Sequence, residues 1–445
     1  MGCLFGKIME YTDEIKQLND GLFSEVMEIF LKAGKLTTDS RKVVLGDIFV
    51  ALKGDFYDAN TFTQSALDNG AALVVIDNKD YYVDSRTLVV EDSLLFLQQF
   101  ANFYRRTLEM PVVAISGTNG KTTTKELMRD ILSVKYKTQA TQGNLNNHVG
   151  VPLTVLSLKK DTQIAIIEMG ASHPGDIDLL CRIAEPDIAL LTNIGTAHIE
   201  GFGSQEGVVQ TKTELYRYVE AKKGKIFVNI DDENLMKHKP FDATTYSLCK
   251  RADVMAEKTD LKQPFAAIKL RHTKIHSQLV GSYNCYNILA AASVGLYFGV
   301  DIEDIKKAVE NYSPQNNRSQ VKKTENNTLI LDCYNANPSS CRYALEAFND
   351  IDAKDKRVFI GSMKELGEVS EQEHKAIADI VESMHLTQAV FVGEEYRPYS
   401  MKPNCLWFEN STEAKDFLQT QNIKKSLILI KGSRATKMEV LQDVL

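Results

Sequence analysis

Stretches with apolar residues at helical spacing alternate with short β-branched runs along most of the chain. This alternation is typical of α/β layers built on parallel strands. Before residue 110, the pattern predicts helices at 20–33, 61–69 and 92–108 and strands at 47–52 and 71–76. In the centre, it predicts strands at 112–116, 163–167 and 187–191 and helices at 121–134 and 175–184. The expected fold class is therefore α/β.

A second series of strands begins after Pro314 and indicates a further unit. The pattern predicts strands near 328–331, 357–360, 389–392 and 426–430, each followed by a helical pattern. The length of 445 residues also favours three domains at roughly 150 residues each. The expected domains are 1–109, 110–313 and 314–445.

Composition and charge exclude several classes of protein. Charged residues make up 25% and hydrophobic residues 44% of the chain, and the net charge is -7, which is unlike a disordered chain or a general nucleic-acid-binding protein. The seven cysteines show no zinc-binding spacing and indicate a reducing compartment. The longest apolar run, 288–300, is too short to span a membrane, so we expect a buried helix there and no membrane span. The first seven residues lack the long apolar stretch of an export signal, so we expect none.

The strongest local motif is Ser-Gly-Thr-Asn-Gly-Lys-Thr-Thr at 116–123, between a predicted strand and a predicted helix. Its glycines let backbone N–H groups face a phosphate, Lys121 can reach the outer phosphates, and the Thr122 hydroxyl can hold Mg²⁺. Gly117 and Gly120 are separated by two residues instead of the usual four. The alternative is a glycine-rich helix cap, which the Gly-Lys-Thr-Thr sequence after a strand disfavours.

Two further residues follow predicted strands and are candidate metal ligands. Glu168 ends one strand and His198 comes shortly after another. The carboxyl ends of parallel strands lie at the same edge of a sheet, so we expect both residues near the phosphate loop. Lys212, in Gln-Thr-Lys-Thr-Glu-Leu, is by composition a solvent-exposed helix residue.

Three polar turns follow predicted strands in the third unit, at 332–338, 361–368 and 431–434. Each alone is also typical of an ordinary strand-to-helix turn, because such turns are rich in Gly, Asn and Asp. Their common position predicts that all three converge on one cleft.

Taken together, the motifs resemble those of the ATP-dependent Mur ligases of peptidoglycan synthesis over almost the whole chain. The matching segments are 117–123, 168–170, 192–195 with His198, Lys212, and 281–287. Within the family, 143–147 with 150–154, 332–338, 361–368 and 431–434 are similar to the last ligase of the pathway, and 38–41 with 46–54 resemble its UDP-sugar-binding part. The resemblance implies a small N-terminal α/β UDP-binding domain, a central P-loop-type ATPase domain with a mostly parallel sheet, and a C-terminal Rossmann-like α/β domain.

The resemblance also implies the reaction and its participants. The expected enzyme joins D-Ala-D-Ala to UDP-MurNAc-tripeptide through an acyl phosphate and forms ADP and phosphate. It uses ATP and Mg²⁺, and it acts as a monomer in the bacterial cytoplasm without a nucleic-acid partner. The motifs do not decide whether the third peptide residue is lysine or diaminopimelate.

Residue roles follow from the resemblance by position. The residues implied for ATP are Gly117, Thr118, Asn119, Gly120, Lys121, Thr122, Thr123, Asn284, Asn287, Arg318 and Asp332. The implied metal ligands are Thr122, Glu168, His198 and a carbamylated Lys212, and the implied catalytic residues are Lys121, Glu168, His198 and Lys212. The implied substrate residues are Ser40, Arg41 and Lys53 at the UDP end, Asn335, Asn337, Lys431 and Ser433 at the dipeptide end, and Asn144, Asn146 and Asn147. Tyr283 and His148 depart from the family pattern and are given no role.

Three other functions stay open at this point. The first is another ligase of the superfamily, such as a folylpolyglutamate synthetase or an earlier Mur ligase. The second is a nucleotide-binding regulatory switch, which leaves Lys212 and Lys431 unexplained. The third is an inactive homologue that serves as a scaffold, against which the presence of Lys121, Glu168 and His198 argues.

Overall fold

The computed structural model describes residues 13–33, 35–195, 199–259, 264–399 and 403–445. The chain divides into two compact units. The first contains the described residues up to Met110 together with Thr141–Asp161 and Leu179–Glu185, and the second contains Pro111–Ala140, Thr162–Asp178 and the described residues from Pro186 to Leu445. Among the described helices, none has the length and apolar character that crossing a bilayer requires.

The first unit is built on a four-stranded parallel sheet with the strand order β1-β2-β5-β6. Its strands are β1 (Leu36–Thr37), β2 (Ile48–Val50), β5 (Leu73–Ile76) and β6 (Thr87–Val89), beside a short antiparallel pair of β3 (Lys53–Gly54) and β4 (Tyr57–Asp58). Its helices are α1 (Asp13–Ala33), α2 (Thr63–Asp68), α3 (Ser93–Arg105) and α5 (Gly150–Leu156).

The two later segments of the first unit pack on α3. The Tyr104 hydroxyl donates a hydrogen bond to Leu158 O at 2.7 Å, and Arg105 Nε donates one to Ala184 O at 2.9 Å. Both donor residues are buried, at 4% and 7% exposure. Buried polar groups need such partners, so the end of α3 depends on residues far along the chain.

A nine-stranded sheet with the order β15-β14-β13-β12-β11-β10-β7-β9-β8 forms the first part of the second unit. Its strands are β7 (Val112–Ser116), β8 (Thr138–Ala140), β9 (Ile164–Glu168), β10 (Ile188–Leu191), β11 (Lys225–Asn229), β12 (Thr244–Ser247), β13 (Val254–Lys258), β14 (Phe265–Leu270) and β15 (Thr273–Val280). The strands from β8 to β13 pair in parallel, whereas β13, β14 and β15 pair antiparallel.

Helices cover this sheet and bury its central strands. The helices that contact its strands are α4 (Lys121–Ser133), α9 (Glu214–Ala221), α10 (Glu233–Lys237), α11 (Asn284–Tyr297) and α12 (Ile302–Asn311). The chain also forms α6 (Asp176–Ala184), α7 (Ile199–Phe202) and α8 (Gln205–Lys212). All five residues of β7 are buried, as expected for the middle of a parallel sheet. Where α11 crosses α4, a Cβ on Gly295 would lie 2.5 Å from Ile131 Cγ2, so a glycine is needed there.

The rest of the second unit is a six-stranded sheet with the order β16-β17-β21-β18-β19-β20. Its strands are β16 (Gln320–Lys323), β17 (Thr328–Asp332), β18 (Lys356–Gly361), β19 (Gln388–Val392), β20 (Cys405–Phe408) and β21 (Leu427–Lys431), and only β16 runs antiparallel to its neighbour within this sheet. Its helices are α13 (Pro338–Asn349), α14 (Ser370–Ser383) and α15 (Ser411–Gln419). Two separate apolar clusters lie around this sheet, so both of its faces are covered.

Most predicted elements are confirmed to within a few residues, and the apolar run at 288–300 does contribute to a buried helix, α11. The sequence analysis missed the short strands β1, β3, β4 and β6, the strands β8, β16 and β20, and all five strands from β11 to β15. The segments 141–161 and 179–185 belong to the first unit, which a continuous domain of 1–109 does not include. The division of the chain at 314 stays a prediction.

Candidate active site

The glycine-rich loop connects β7 to α4, as the sequence predicts. Gly117 and Gly120 have φ angles of 131° and 79°, which favour glycine. A Cβ on Gly117 would overlap Thr192 Oγ1, and a Cβ on Gly120 would overlap Asn287 Oδ1. Backbone conformation and space therefore both require glycine, and the start of α4 adds the positive end of a helix dipole.

Residues after β10 hold the loop in place. The backbone N–H groups of Thr118 and Asn119 donate to O and Oδ1 of Asn193, each at 3.0 Å. Thr192 Oγ1 and Asn193 Nδ2 donate in return to Asn119 O, at 2.6 and 2.9 Å. The Thr-Asn-Ile-Gly segment at 192–195 therefore fixes the shape of the loop.

Lys121 folds its side chain back over the loop. Its Nζ donates to Gly117 O at 2.7 Å and to Thr118 O at 3.1 Å. Burial lowers the pKa of this ammonium to about 8, while the charge of Glu168 raises the pKa and that of Arg318 lowers it. A phosphate in the loop would accept these hydrogen bonds and would favour the charged form of the lysine.

Glu168 lies at the end of β9 and is 1% exposed. Thr122 Oγ1 donates to its Oε1 at 3.2 Å, and Lys125 Nζ lies 3.7 Å from its Oε2. Lys125 is itself buried on α4, and that burial lowers the pKa of its ammonium. The carboxylate therefore sits between a hydroxyl and a cation beside the phosphate loop.

The oxygens of Thr122 and Glu168 fit a magnesium ion that is shared with a nucleotide. Mg²⁺ prefers oxygen ligands and is usually held by one or two protein side chains together with phosphates and water. Among the described residues there is no cluster of three or more His, Cys, Asp or Glu side chains that could hold a metal ion. His198 lies outside the described residues.

Lys212, at the end of α8, is 2% exposed, so the prediction of a solvent-exposed residue is wrong. Its Nζ lies 5.5 Å from the centre of the Phe202 ring, and it makes no hydrogen bond or ion pair with any part of the chain that the structure describes. Burial and, to a lesser degree, the charge of Lys121 lower its pKa to about 7. A helix of eight residues is too short for its periodicity to show which side faces the core.

The two asparagines at the start of α11 lie against the phosphate-loop helix. Asn287 Oδ1 accepts a hydrogen bond from Thr124 Oγ1 at 3.2 Å, and its Nδ2 donates to Asn284 Oδ1 at 2.8 Å. Asn284 Nδ2 donates in turn to Val280 O at 2.8 Å. Both residues are buried, and they join α4 to the end of β15.

Asn119 links the phosphate loop to the start of α13. Its Nδ2 donates to Ser339 Oγ, and its Oδ1 accepts from Asn337 Nδ2, both at 2.8 Å. Asn337 caps α13 by accepting from Ser340 N at 2.8 Å. One side chain of the loop therefore contacts a turn that the sequence placed at the dipeptide end.

Arg318 stacks on Tyr334, with the guanidinium carbon 4.0 Å from the ring centre. Its Nε is buried and has no hydrogen-bond partner among the described residues. Asn317 and Ser319, on either side, have φ angles of 50° and 51°, so the loop holds a strained conformation around this arginine.

The buried Lys431 pairs with the partly buried Asp332 at the ends of neighbouring strands. Lys431 Nζ lies 3.0 Å from Asp332 Oδ2 and donates to Asn335 O at 2.7 Å, and Lys431 is 1% exposed. Asp332 Oδ1 accepts from Ser319 N at 3.2 Å. Tyr283, which departs from the family pattern, shares a 2.7 Å hydrogen bond with Ser319 Oγ, and burial raises the pKa of its hydroxyl.

The three polar turns of the six-stranded sheet line one pocket of about 220 Å³, which confirms their predicted convergence. Residues 335–337, 364–366 and 433–435 contribute to its walls. Asn335, Asn337 and Ser433 are thus brought together, whereas Lys431 is held behind them by Asp332. Ser433 Oγ donates to Ser362 O at 2.9 Å and fixes one turn against another.

The predicted UDP-end residues lie in the first unit. The Arg41 guanidinium donates two hydrogen bonds to Asp39, at 2.8 and 3.0 Å, and Lys53 Nζ lies 2.8 Å from Asp77 Oδ1. Ser40 begins a short 3₁₀ turn beside Arg41.

The predicted asparagines at 144, 146 and 147 also belong to the first unit. Asn147 Oδ1 accepts from Val149 N at 3.2 Å and from Gly150 N at 2.8 Å at the start of α5. Asn144 O accepts from Asn146 N at 2.8 Å. Their predicted roles toward substrate stay predictions.

The sequence analysis missed three residues that support the site. Lys125 forms the buried pair with Glu168, Tyr334 lies under Arg318, and His374 accepts a hydrogen bond from Met363 N at 3.0 Å. A signal existed only for Lys125, which follows Lys121 by four residues and so lies on the same side of the helix.

Comparison with protein families matches residues 115–295 to the Mur ligase middle domain and residues 317–434 to the Mur ligase glutamate ligase domain. The UDP-N-acetylmuramoyl-tripeptide–D-alanyl-D-alanine ligase of Bacillus subtilis is 33% identical over 92% of this chain and 93% of its own length. The enzyme of the same name from Haemophilus influenzae is 34% identical over 91% of this chain and 92% of its own.

Solved structures agree with these relatives. A MurF from Acinetobacter baumannii superposes with a TM-score of 0.82 at 33% identity, and the match covers 92% of each chain. The MurF ligase from Thermotoga maritima in complex with ADP gives a TM-score of 0.81 at 28% identity over 92% of this chain and 96% of its own. The chain therefore belongs to the Mur ligase family.

Proposed function

We propose that this protein is an ADP-forming ligase that joins D-Ala-D-Ala to UDP-MurNAc-tripeptide and so completes the pentapeptide precursor of the cell wall. The observation that carries the proposal is the grouping of Lys121, Thr122 and Glu168 at a glycine-rich loop whose Asn119 contacts the turns of a second pocket. The relatives that cover more than nine tenths of the chain bear the name of this activity.

ATP is the nucleotide that the phosphate loop would bind. The loop amides and the start of α4 would hold the phosphates, and Lys121 would neutralise the outer ones. Thr122 and Glu168 would hold Mg²⁺, with His198 and a carbamylated Lys212 at a second ion. Bound Mg²⁺ supplies positive charge that stabilises the phosphates during transfer.

Activation of the tripeptide brings its carboxylate against the γ-phosphate of ATP, and both groups are anions. A carboxylate oxygen attacks the γ-phosphorus, the bond to the β-phosphate oxygen breaks, and ADP leaves. Two unit charges 4 Å apart repel by about 4 kcal/mol at an effective dielectric constant of about 20. Lys121 would offset part of this repulsion, and Arg318, whose charge acts on Lys121, would supply a second positive charge.

The amine of the dipeptide then attacks the acyl phosphate. The new C–N bond forms a tetrahedral carbon, the C–O bond to phosphate breaks, and the amine loses one proton. The pocket of residues 335–337, 364–366 and 433–435 would hold the dipeptide. Through its hydrogen bonds to Asn337 and Ser339, Asn119 would hold this pocket at a fixed position relative to the phosphate loop.

Each of the three domains would bind one substrate. Residues 1–109 would bind the UDP-sugar, residues 110–313 would bind ATP and Mg²⁺, and residues 314–445 would bind the dipeptide. Ser40, Arg41 and Lys53 would contact the UDP end. The enzyme would act as a monomer in the bacterial cytoplasm.

Phosphate release in a coupled assay tests the proposal. Purified protein is given ATP, Mg²⁺ and UDP-MurNAc-tripeptide with lysine or diaminopimelate at the third position, with or without D-Ala-D-Ala. We expect release only when both substrates are present, together with the pentapeptide mass. L-Ala-L-Ala is the matched control.

Other outcomes separate the alternative functions. ATP turnover without the dipeptide would favour a nucleotide-dependent switch. Dependence on glutamate would favour a folylpolyglutamate synthetase, and dependence on one amino acid with a shorter muramoyl peptide would favour an earlier Mur ligase. Absence of turnover with every substrate would favour a scaffold.

A further inference from the structure

Three cationic side chains lie in or directly behind the pocket of residues 335–337, 364–366 and 433–435, and two of them have carboxylate partners. Lys364 Nζ lies 2.5 Å from Glu395 Oε1. Lys431 is almost fully buried and lies 3.0 Å from Asp332 Oδ2. Neither lysine is available to a ligand without losing its partner.

Arg434 differs from both lysines because it forms no ion pair with a described carboxylate. It is exposed in the pocket wall, and its guanidinium carbon lies 5.9 Å from the centre of the Tyr334 ring. Its backbone is firmly held, since Ser433 Oγ bonds to Ser362 O and Thr436 Oγ1 bonds to Ser433 O at 2.8 Å. A fixed backbone thus presents a free cation to the pocket.

The chemistry of this pocket suits a small zwitterion. Its volume of about 220 Å³ is below the roughly 300 to 1,000 Å³ of pockets for drug-sized ligands. Arg434 supplies a positive charge, and Glu365 supplies a negative charge to the same wall. Guanidinium groups bind carboxylates through two parallel hydrogen bonds, which lysine cannot do.

We infer that Arg434 binds the free carboxylate of the incoming dipeptide and is a specificity-determining residue for a C-terminal acid. The inference rests on the proposed function and deepens it. Lys431 is then not the residue that binds the dipeptide carboxylate, because its ammonium is already paired with Asp332. The proposed contacts of ATP and of the tripeptide do not include Arg434.

The test compares D-Ala-D-Ala with D-alanyl-D-alaninamide, which lacks the carboxylate charge. Hydrogen bonds to charged groups contribute about 1.5 to 3 kcal/mol, so we expect Arg434→Gln to raise the KM for D-Ala-D-Ala about 10- to 100-fold. The KM for the amide, for ATP and for UDP-MurNAc-tripeptide should stay unchanged. Arg434→Lys should recover part of the preference for the acid.

Arg397→Gln is the matched control, because Arg397 also lies over an aromatic ring, 5.4 Å from Trp407, but takes no part in the pocket wall. It should leave both KM values unchanged. An equal rise for acid and amide in Arg434→Gln, or no rise for either, would overturn the inference. Loss of dipeptide-dependent phosphate release in the wild-type protein would instead overturn the proposed function.

Discussion

The amine of Lys212 is buried next to a second lysine, and this makes it chemically different from the surface lysines. Its pKa of about 7 leaves a large neutral fraction at neutral pH. Only a neutral amine can add CO₂ to form a carbamate, and the product is an anion that suits a metal ion. Burial thus favours the modification that the family resemblance implies.

Lys212→Ala should lower turnover at least 100-fold, because a proposed metal ligand is removed, and short carboxylic acids such as acetate should restore part of it. The measurement is phosphate release at saturating substrates, with and without added acid. Lys222→Ala is the control, since Lys222 lies over Tyr218 in a similar way but is exposed. Full activity of Lys212→Ala would eliminate the carbamate.

Residue identity predicted the strand–loop–helix setting of the glycine-rich loop, whereas the burial of individual side chains could not be predicted from the sequence. Lys121 is recognisable because its neighbours are glycine and threonine in a strand-to-helix context. Lys212 has ordinary polar neighbours, and only the packing of α8 buries it. Tyr334 and His374 act through ring contacts and a single hydrogen bond, which leave no pattern in one sequence.

At the scale of elements, the shape of the β7–α4 connection depends on one glycine. Gly117→Ala should lower the affinity for ATP at least 100-fold, because the new Cβ would overlap Thr192 Oγ1 and force the loop away. Isothermal titration with ATP and Mg²⁺ measures the effect. Gly299→Ala is the control, since its φ of 70° is also positive but its Cβ would meet only the tip of Lys135. It should cost about 1 to 2 kcal/mol of stability and leave ATP affinity unchanged. Equal ATP affinities of the two variants would contradict the role of Gly117.

Helix α14 holds the pocket turn through His374, whose ring is buried against Tyr396. Nε2 accepts from Met363 N, and Nδ1 lies 2.7 Å from Ser370 O. Burial lowers the pKa of this imidazole below its ordinary value of 6.5, although nearby Glu395 and Glu373 raise it and Lys364 lowers it. The folded protein therefore keeps His374 neutral at a pH where the unfolded chain takes up a proton.

The sign of the pH effect follows from this difference. Below about pH 6.5 the unfolded state binds one more proton, so stability falls as the pH falls, by at most about 1.4 kcal/mol per pH unit, and above that pH the effect vanishes. His374→Gln should be less stable at pH 7.5 by about 1 to 3 kcal/mol but lose less stability between pH 7.5 and 5.5. Urea unfolding at several pH values tests this. In the control His385→Gln, at an exposed position, the free energy of unfolding should change with pH as in the wild type. The same pH dependence in His374→Gln as in the wild type would show that His374 is not the group responsible.

Some of the strands that the sequence analysis missed differ in burial from those that it found, although the buried strand β11 was missed too. β7 and β9 are buried on both sides and consist of unbroken apolar runs. β15 alternates buried and exposed positions, as in Ile275, Ser277 and Leu279, and β13 is mostly exposed. In β15 the buried position 277 is a serine, so the apolar alternation that would indicate a strand is interrupted.

At the scale of the whole molecule, the first unit is not one continuous stretch of chain. A fragment of residues 111–445 would contain α5 and the end of α6 without α3, whose Tyr104 and Arg105 bind Leu158 and Ala184. We expect this fragment to aggregate or to unfold at a lower temperature than the full chain. A fragment of residues 314–445 contains a complete sheet with both faces covered and should unfold cooperatively. Calorimetry and size-exclusion chromatography compare the two, and a stable fragment of 111–445 would contradict the expectation.

Because the first unit contains residues up to Glu185, it cannot be completed until that residue has been synthesised. Ribosomes add roughly 5 to 20 residues per second, so the 75 residues between Met110 and Glu185 take about 4 to 15 s to be made. During that interval the carboxyl end of α3 has been translated, but its hydrogen-bond acceptors have not. The side chains at the end of α3 therefore lack their hydrogen-bond acceptors until residue 185 has been made. A chaperone that binds nascent chains could bind this helix end during that interval.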